Sequence, residues 1–428
     1  MLRVSKKMKV LLITLFITIP VLVCVMPREN ASKGSVKTVC IKISWNEILN
    51  QGMSLKFESP YAKWKNGPPK DPNFFPLCVW LQNPKNAAKY KELGINVYVG
   101  LWKGPTEEQL EELRKVGMYV ICAQNDVALR YINDSIIIGW LQPDEPDNAQ
   151  RLPDGSYGPP IPPDKIIEDY MKMRTTDPTR PILLNLGQGV AWDEWYGRGV
   201  RTNHPEDYLE YIKGCDIVSF DIYPIVHKDQ RVAGKIWYVA RGVVRLREWS
   251  KGQKIIWNCI ETTRIDNPNV KPTPHQVKAE VWMSIIHGSM GIIYFVHQFK
   301  PVFIEAGLLA DKEMSQAIKE INKQILELAP ILNSPTLYRK DAVSAEKETL
   351  ISPLALMVKM YNGTIYIFAV NVQEKPVKLK LTIEGMPENY IVEVYGENRS
   401  IIPKSSTFED YFKGFEVHIY KVVKRQRN

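Results

Sequence analysis

Apolar and polar positions repeat in a regular order between residues 74 and 330. Short apolar runs alternate with segments in which apolar residues recur at helical spacing, such as Leu110, Leu113 and Val116. Gly94 and Gly117 each follow such a segment, where glycine commonly ends a helix. The repeated order of strand and helix predicts parallel strands that are covered by helices.

Eight strands are predicted in this region. They span residues 75–81, 95–101, 118–123, 135–141, 181–186, 216–223, 254–260 and 291–296. Eight strand-helix units predict an α/β fold, the (β/α)₈ TIM barrel, over residues 74–333. A doubly wound open sheet is the structural alternative, but no glycine-rich phosphate loop follows the first strand.

The pattern changes to short-range alternation after Pro330. Tyr361, Asn362, Gly363 and Thr364 form a strong hairpin signal between two apolar runs, and residues 377–383 alternate between apolar and polar. A small C-terminal antiparallel β-sandwich domain is therefore predicted over residues 334–428. Residues 31–73 are a polar lead-in segment to which the sequence assigns no fold.

The N-terminus resembles an export signal, because residues 1–9 are basic and residues 10–25 are apolar. We therefore expect an exported protein, located outside the cell or at the cell surface. Residues 1–30 are predicted to be a cleaved signal or a membrane anchor. The apolar segment is short for a membrane span of about 20 residues, so both readings stay open.

Charge and composition exclude some partners. The net charge is +9, but basic residues at the two chain ends supply most of it, so no basic surface for nucleic acid is predicted. The six cysteines show no C-x-x-C spacing, and the six histidines show no H-x-H at a strand end. We predict no metal and no cofactor.

Two predicted strands end in glutamate. Glu145 follows the fourth strand between Pro143 and Pro146, and Glu261 ends the seventh. In a (β/α)₈ barrel the active site lies at the C-terminal ends of the strands. Two carboxylates facing each other across a pocket are what glycoside hydrolysis requires. Taken singly, Glu145 would suit a polar loop and Glu261 a surface ion pair; together they predict a catalytic pair.

These residues resemble glycoside hydrolase clan A, whose members are retaining (β/α)₈ enzymes. The segment from Gly139 to Pro146 is similar to the clan's acid/base strand, and the segment from Ser219 to Pro224 is similar to its sixth strand. The resemblance implies that Glu145 is the acid/base, Glu261 the nucleophile and Tyr223 a support for the nucleophile. A C-terminal β-sandwich is a common accompaniment.

The sequence departs from the clan pattern at two positions. Asp144 stands where many members have an asparagine that binds the sugar 2-hydroxyl; aspartate can accept the same hydrogen bond, and its charge would raise the pKa of Glu145. His297 ends the eighth strand, where a tryptophan is common, and is either a substrate contact or an ordinary loop residue. Further candidates for binding sugar rings or hydroxyls are Trp80, Trp102, Gln124, Asn125, Asn185, Gln188, Trp192 and Trp195.

The predicted function is therefore a retaining hydrolase of β-linked glycosides that acts on an oligo- or polysaccharide. The main alternative is a non-catalytic carbohydrate-binding barrel protein at the cell surface. A metal-dependent hydrolase on the same barrel is the third possibility, and the sequence lacks clustered ligands for it.

Overall fold

The computed structural model describes residues 36–55 and 57–425. The export signal predicted over residues 1–30 lies outside them. The first described elements are strand β1 (Lys37–Ser44) and helix α1 (Trp45–Ser54), where Ser44 caps the helix by accepting a hydrogen bond from the amide of Glu47. None of the described helices combines the length and apolarity needed to cross a membrane.

A closed parallel barrel follows, which confirms the predicted (β/α)₈ fold. Its strands are β2 (Leu77–Trp80), β3 (Val97–Val99), β4 (Tyr119–Cys122), β5 (Ile137–Leu141), β6 (Ile182–Leu186), β7 (Ile217–Phe220), β8 (Ile255–Ile256), β9 (Asn258–Glu261) and β10 (Ile292–Phe295). Strand β10 pairs with both β2 and β9, which closes the ring. Only Trp257 separates β8 from β9, so these two strands form one interrupted strand of the barrel. Counted in this way, the barrel has eight strands.

The helices surround the barrel. They are α2 (Ala87–Glu92), α3 (Glu107–Val116), α4 (Asp126–Arg130), α5 (Pro163–Thr176), α6 (Tyr208–Tyr211), α7 (Trp237–Trp249), α8 (Pro274–His287), α9 (Gly307–Ala310) and α10 (Lys312–Leu332), with short 3₁₀ turns at Pro84–Asn86, Gln188–Val190, Tyr196–Arg201, Pro205–Asp207 and Ile212–Gly214. Capping boxes at Thr106 and Thr273 open α3 and α8. Gly117 ends α3 with φ of 62°, a conformation that glycine adopts without strain.

The second domain is a two-sheet β-sandwich. Its remaining strands are β11 (Thr336–Lys340), β12 (Leu354–Tyr361), β13 (Thr364–Asn371), β14 (Val377–Glu384), β15 (Tyr390–Val394), β16 (Arg399–Ile401), β17 (Thr407–Phe412) and β18 (Val417–Lys424). The sheet orders are β1-β14-β17 and β11-β12-β13-β18-β15-β16. The predicted hairpin at Asn362 and Gly363 joins β12 to β13, and both turn residues have positive φ.

One strand of the sandwich comes from the segment described above as a lead-in. Strand β1 pairs with β14 in parallel, so that sheet is mixed and not purely antiparallel. The sequence could not reveal this pairing, because its two partners lie more than 300 residues apart and a strand pattern does not identify its neighbour. The N-terminal strand and the C-terminal domain thus share one hydrophobic core, which includes Ile41, Leu356 and Leu381.

Candidate active site

Strand β5 delivers Glu145 to the C-terminal end of the barrel. Ile137 and Trp140 on this strand are fully buried, and Pro143 and Pro146 follow it on either side of the acidic residues. Glu145 itself has φ of 41°, a conformation that costs a non-glycine residue of order 1–3 kcal/mol. Its amide donates to the carbonyl of Asn185 at 3.1 Å. The neighbouring strand β6 therefore holds the strained bend in place.

A cavity of about 960 Å³ opens at this end of the barrel. The loops and strand ends that line it contribute Trp80, Leu81, Gln82, Asn83, Pro84, Lys85, Trp102, Thr106, Glu108, Gln109, Glu112, Asp144, Glu145, Asn185, Gln188, Trp195, Asp221, Tyr223, Cys259, Ile265, Asp266, Phe295, His297, Phe299, Phe303 and Glu305. Nine of the thirteen candidate residues named from the sequence lie here: Asp144, Glu145, Tyr223, Trp80, Trp102, Asn185, Gln188, Trp195 and His297. The cavity is large enough for several sugar rings.

Three carboxyl groups meet in this cavity. Burial raises the pKa of Glu145 well above its usual value, and the adjacent carboxylates of Asp221 and Asp144 raise it further. Burial likewise raises the pKa of Asp221 to about 6, against a hydrogen bond with Glu145. The charge of the nearby Asp221 carboxylate therefore favours the protonated form of Glu145.

Asp144 faces the cavity beside this pair. Its exposed side chain lines the cavity, and partial desolvation by the surrounding protein raises its pKa to about 7. A hydrogen bond of 3.0 Å from the Asn185 amide opposes that rise. Asn185 accepts in turn from the Ser219 hydroxyl at 2.8 Å, which fixes the orientation of its amide. Asn185 therefore positions Asp144.

Glu261 lies in a different environment. It is fully buried and is not among the described residues that line the cavity. Its two carboxyl oxygens accept hydrogen bonds from the amides of Ile225 at 2.7 Å and Val226 at 3.0 Å. Glu280 of α8 lies against it, and burial raises the pKa of Glu261 to about 8 despite these bonds. The structure does not bring Glu261 to the cavity surface beside Glu145, and its catalytic role stays a prediction.

Tyr223 and His297 line the cavity with unused polar atoms. The Tyr223 hydroxyl and Nδ1 of His297 are buried and have no hydrogen-bond partner among the described groups. Nε2 of His297 lies 3.0 Å from the Gln82 amide nitrogen, so this ring nitrogen accepts the hydrogen bond. Burial lowers the pKa of His297, which keeps the ring neutral. Both side chains are free to hydrogen-bond a ligand.

Aromatic side chains form the walls and mouth of the cavity. Trp80 is 5% exposed and Trp102 is 67% exposed. Phe299 and Phe303 stack on each other and on His297, with ring centroids 5.6 to 6.2 Å apart. Exposed aromatic faces of this kind suit the apolar faces of sugar rings.

The remaining candidates divide between the cavity and structural roles. Trp195 lines the cavity, and its indole donates to Asn148 at 2.8 Å. Trp192 is fully buried, so it packs in the core. Asn125 caps α4, and the Gln124 amide donates to the carbonyl of Met173 at 3.0 Å. Neither Gln124 nor Asn125 is among the described residues that line the cavity.

Sequence reasoning did not single out several residues of the cavity. Asp221 carried a signal, because it lies two residues before Tyr223 at the end of the sixth predicted strand. Gln82, Asp266, Phe299, Phe303 and Glu305 lie in loops with no periodic pattern, and only the folded chain gathers them. Within residues 36–55 and 57–425, no group of three or more His, Cys, Asp or Glu side chains is arranged to hold a metal ion.

Comparison with known proteins identifies the fold. No protein-family model and no curated protein matches the chain. Solved structures do: AmyP in complex with maltose is 10% identical, with a TM-score of 0.51 over 82% of this chain and 96% of that one. A family 39 glycoside hydrolase from Bacteroides cellulosilyticus is also 10% identical, with a TM-score of 0.50 over 83% of each chain.

A third similar structure is a putative α-galactosidase/melibiase from Bacteroides fragilis, 10% identical, with a TM-score of 0.50 over 82% of this chain and 79% of that one. Two of these three structures are glycoside hydrolases by name, one of them putative, and the third contains bound maltose. At such low identity the likeness establishes a shared fold and no more.

Proposed function

We propose that this protein is a retaining glycoside hydrolase that acts on β-linked oligo- or polysaccharides. The observation that carries the proposal is the position of Glu145: a carboxyl with a raised pKa, held by a strained bend at the C-terminal end of a barrel strand, in a cavity walled by aromatic rings. Glycoside hydrolysis needs as its acid a carboxyl whose pKa is raised, because such a group keeps its proton to higher pH than an ordinary glutamate does.

In this mechanism Glu145 protonates the glycosidic oxygen as the leaving group departs. Glu261 attacks the anomeric carbon and forms a glycosyl-enzyme, which a water molecule activated by Glu145 then hydrolyses. Asp144 accepts a hydrogen bond from a sugar hydroxyl next to the reaction centre. Trp80 and Trp102 stack on sugar rings, while Gln188 and His297 bind hydroxyls.

The nucleophile role makes a structural demand on Glu261. To reach substrate, its carboxylate has to release the amides of Ile225 and Val226 and turn toward the cavity. Each amide left without an acceptor in a buried position costs about 1–3 kcal/mol, unless the loop moves with it. The nucleophile proposal therefore includes a rearrangement of the loop after β7 when substrate binds.

A panel of paired α- and β-aryl glycosides tests the function. We expect hydrolysis of at least one β-anomer, retention of configuration in the product, and slower turnover in Glu145→Gln. The control is Glu409→Gln, which removes a carboxyl of the other domain, away from the cavity and from Glu261. Hydrolysis of α-anomers alone would overturn the assignment of linkage, and inverted product would overturn the double displacement.

A second candidate function is a carbohydrate-binding barrel without hydrolysis. The burial of Glu261 supports it, because a sugar in the cavity would then meet Glu145 and Asp221 but no exposed carboxylate from β9. Binding of oligosaccharides with no turnover of any aryl glycoside would favour this candidate.

We also propose that the protein is exported. The basic residues 1–9 and the apolar residues 10–25 favour export to the cell surface or the medium. Fractionation of cells that express the full chain tests this, with N-terminal sequencing to distinguish a cleaved signal from an anchor. Recovery of the unprocessed chain in the cytoplasm would contradict it.

A further inference from the structure

The cavity is lined by far more acidic than basic side chains. Asp144, Glu145 and Asp221 lie together beside the end of β5, and Glu108, Glu112, Asp266 and Glu305 belong to the surrounding loops and to α3. Among the described lining residues, Lys85 alone has a cationic side chain, and its ammonium lies 3.5 Å from the carboxylate of Glu108. Lys85 is thus paired already.

Several acids elsewhere in the barrel are paired with arginine. Asp177 lies 2.8 Å from Arg180, and Asp207 lies 2.7 Å from Arg198. The three carboxyls beside the end of β5 form no salt bridge among the described residues, and Asp144 accepts a hydrogen bond from the Asn185 amide instead. Glu261 and Glu280 in the barrel wall are acids without a cation too, but only the carboxyls beside β5 line the cavity, where a cationic ligand can reach them.

Other features of the cavity suit a cationic sugar. The Tyr223 hydroxyl is buried, faces the cavity and lacks a partner, so it can accept a hydrogen bond from an N–H group; Nδ1 of His297 carries the ring proton and can donate to a sugar hydroxyl. Trp102, Phe299 and Phe303 expose aromatic faces at the mouth. Such faces attract both the apolar side of a sugar ring and an ammonium group.

We infer that the natural ligand of this cavity is an oligosaccharide that carries protonated amino groups, of the glucosamine type, and that uronic-acid and sulfated glycans are excluded. An ammonium group on the sugar supplies the positive charge that the cavity lacks, whereas an anionic glycan adds a charge that the cavity repels. This inference rests on the proposed function, because it names the substrate class of the same site.

Binding of such a ligand is coupled to proton release. A cation placed beside Asp144 and Asp221 favours their charged forms and lowers their raised pKa values, so both groups lose protons when the ligand binds. A neutral oligosaccharide of the same length would not release those protons. The coupling distinguishes attraction to the carboxyl groups from simple stacking on the aromatic rings.

Titration calorimetry on the full chain tests the inference. The ligands are tetramers of glucosamine, N-acetylglucosamine and galacturonate, at a pH of about 6, with a chelator present and in two buffers of different ionisation enthalpy. We expect the glucosamine tetramer to bind at least tenfold tighter than the N-acetylated one, with proton release and with weakening at high salt. We expect no measurable binding of galacturonate.

Charge variants sharpen the test. Asp266→Asn removes one acidic group from the lining and should weaken glucosamine-tetramer binding about two- to fivefold while leaving the N-acetylated tetramer unaffected. The matched control is Glu409→Gln on β17, an exposed acid in the other domain. Equal binding of the amino and N-acetylated tetramers, or tighter binding of galacturonate, would overturn the inference.

The two proposals fail separately. Hydrolysis of neutral β-glycosides without preference for amino sugars would refute the substrate class and keep the hydrolase. Selective binding of the glucosamine tetramer without hydrolysis would support the substrate class and refute the hydrolase.

Discussion

The barrel contains two pairs of adjacent carboxyl groups, and they differ in what they face. Glu145 and Asp221 both line the cavity, where a ligand can reach them, and the charge of Asp221 raises the pKa of Glu145. Glu261 and Glu280 meet in the barrel wall, where two backbone amides hold Glu261. Both pairs have raised pKa values because both are buried, so a raised pKa does not by itself identify a catalyst. Access to the cavity distinguishes the two.

The largest expected effect is the loss of kcat when Glu261, in the barrel wall, is substituted. If Glu261 is the nucleophile, Glu261→Ala and Glu261→Gln should both lose more than about 10⁴-fold in kcat, whatever the leaving group. Gln keeps one acceptor for the loop amides but cannot form the glycosyl-enzyme. A purely structural Glu261 would instead leave Glu261→Gln largely active and Glu261→Ala unstable. Steady-state kinetics beside thermal unfolding of both variants makes this distinction.

The next largest effect is the loss of kcat/KM when Glu145, in the cavity, is substituted. Glu145→Gln removes the proton donor, so kcat/KM should fall by about 10²- to 10⁴-fold more for a poor leaving group than for an activated aryl glycoside. The activated substrate should also give a burst, because no general base remains to activate water. Glu409→Gln, on β17 of the other domain, is the control and should show neither change. The same loss on both substrates would rule out an acid role for Glu145.

A smaller effect is expected from the partner of Glu145. The charge of Asp221 raises the pKa of Glu145, so Asp221→Asn should lower that pKa. Because Glu145 has to be protonated to donate, the alkaline limb of the kcat/KM profile should move to lower pH by about one unit. A pH profile with an unchanged alkaline limb would mean that Asp221 does not set the acidity of Glu145.

The smallest effect is on stability. The folded-state pKa values of Glu261 and Glu280 lie above the unfolded value of about 4.3, so at higher pH the native state holds more protons than the unfolded state does. The free energy of unfolding therefore falls as the pH rises from about 4.3 to about 8, where Glu261 loses its proton in the native state. Glu280→Gln should flatten this decline by on the order of 1 kcal/mol per pH unit. Urea unfolding at several pH values measures it, with Glu409→Gln as the control.

The fold was largely predictable because it rests on local signals. Capping boxes at Thr106 and Thr273, the helix-ending glycines and the hairpin at Asn362 and Gly363 each act over a few residues. The pairing of β1 with β14 was not predictable, since it joins segments that are far apart in the chain. Local pattern identifies a strand but not its partner.

The site was predictable only in part. The uninterrupted apolar run before Glu145 and the two prolines beside it predicted that this residue lies at a strand end, and Glu145 does line the cavity. The polar residues at the ends of β6 and β7 were singled out from the sequence in the same way. The orientation of Glu261 depends on the loop at Ile225 and Val226 and on Glu280 of another helix, and no local pattern encodes these contacts. Aromatic residues such as Phe299 and Phe303 belong to an irregular loop and gave no signal.

The central claim is that Glu261 forms a covalent bond to the sugar while Glu145 supplies the proton. The most direct test is to trap the intermediate with an activated 2-deoxy-2-fluoro β-glycoside of a sugar that the enzyme hydrolyses, followed by peptide mass spectrometry. The account predicts one sugar per chain, attached to Glu261, and no labelling in Glu261→Gln. A sugar attached to Asp221, or turnover of substrate with inverted product and no trapped intermediate, would contradict it.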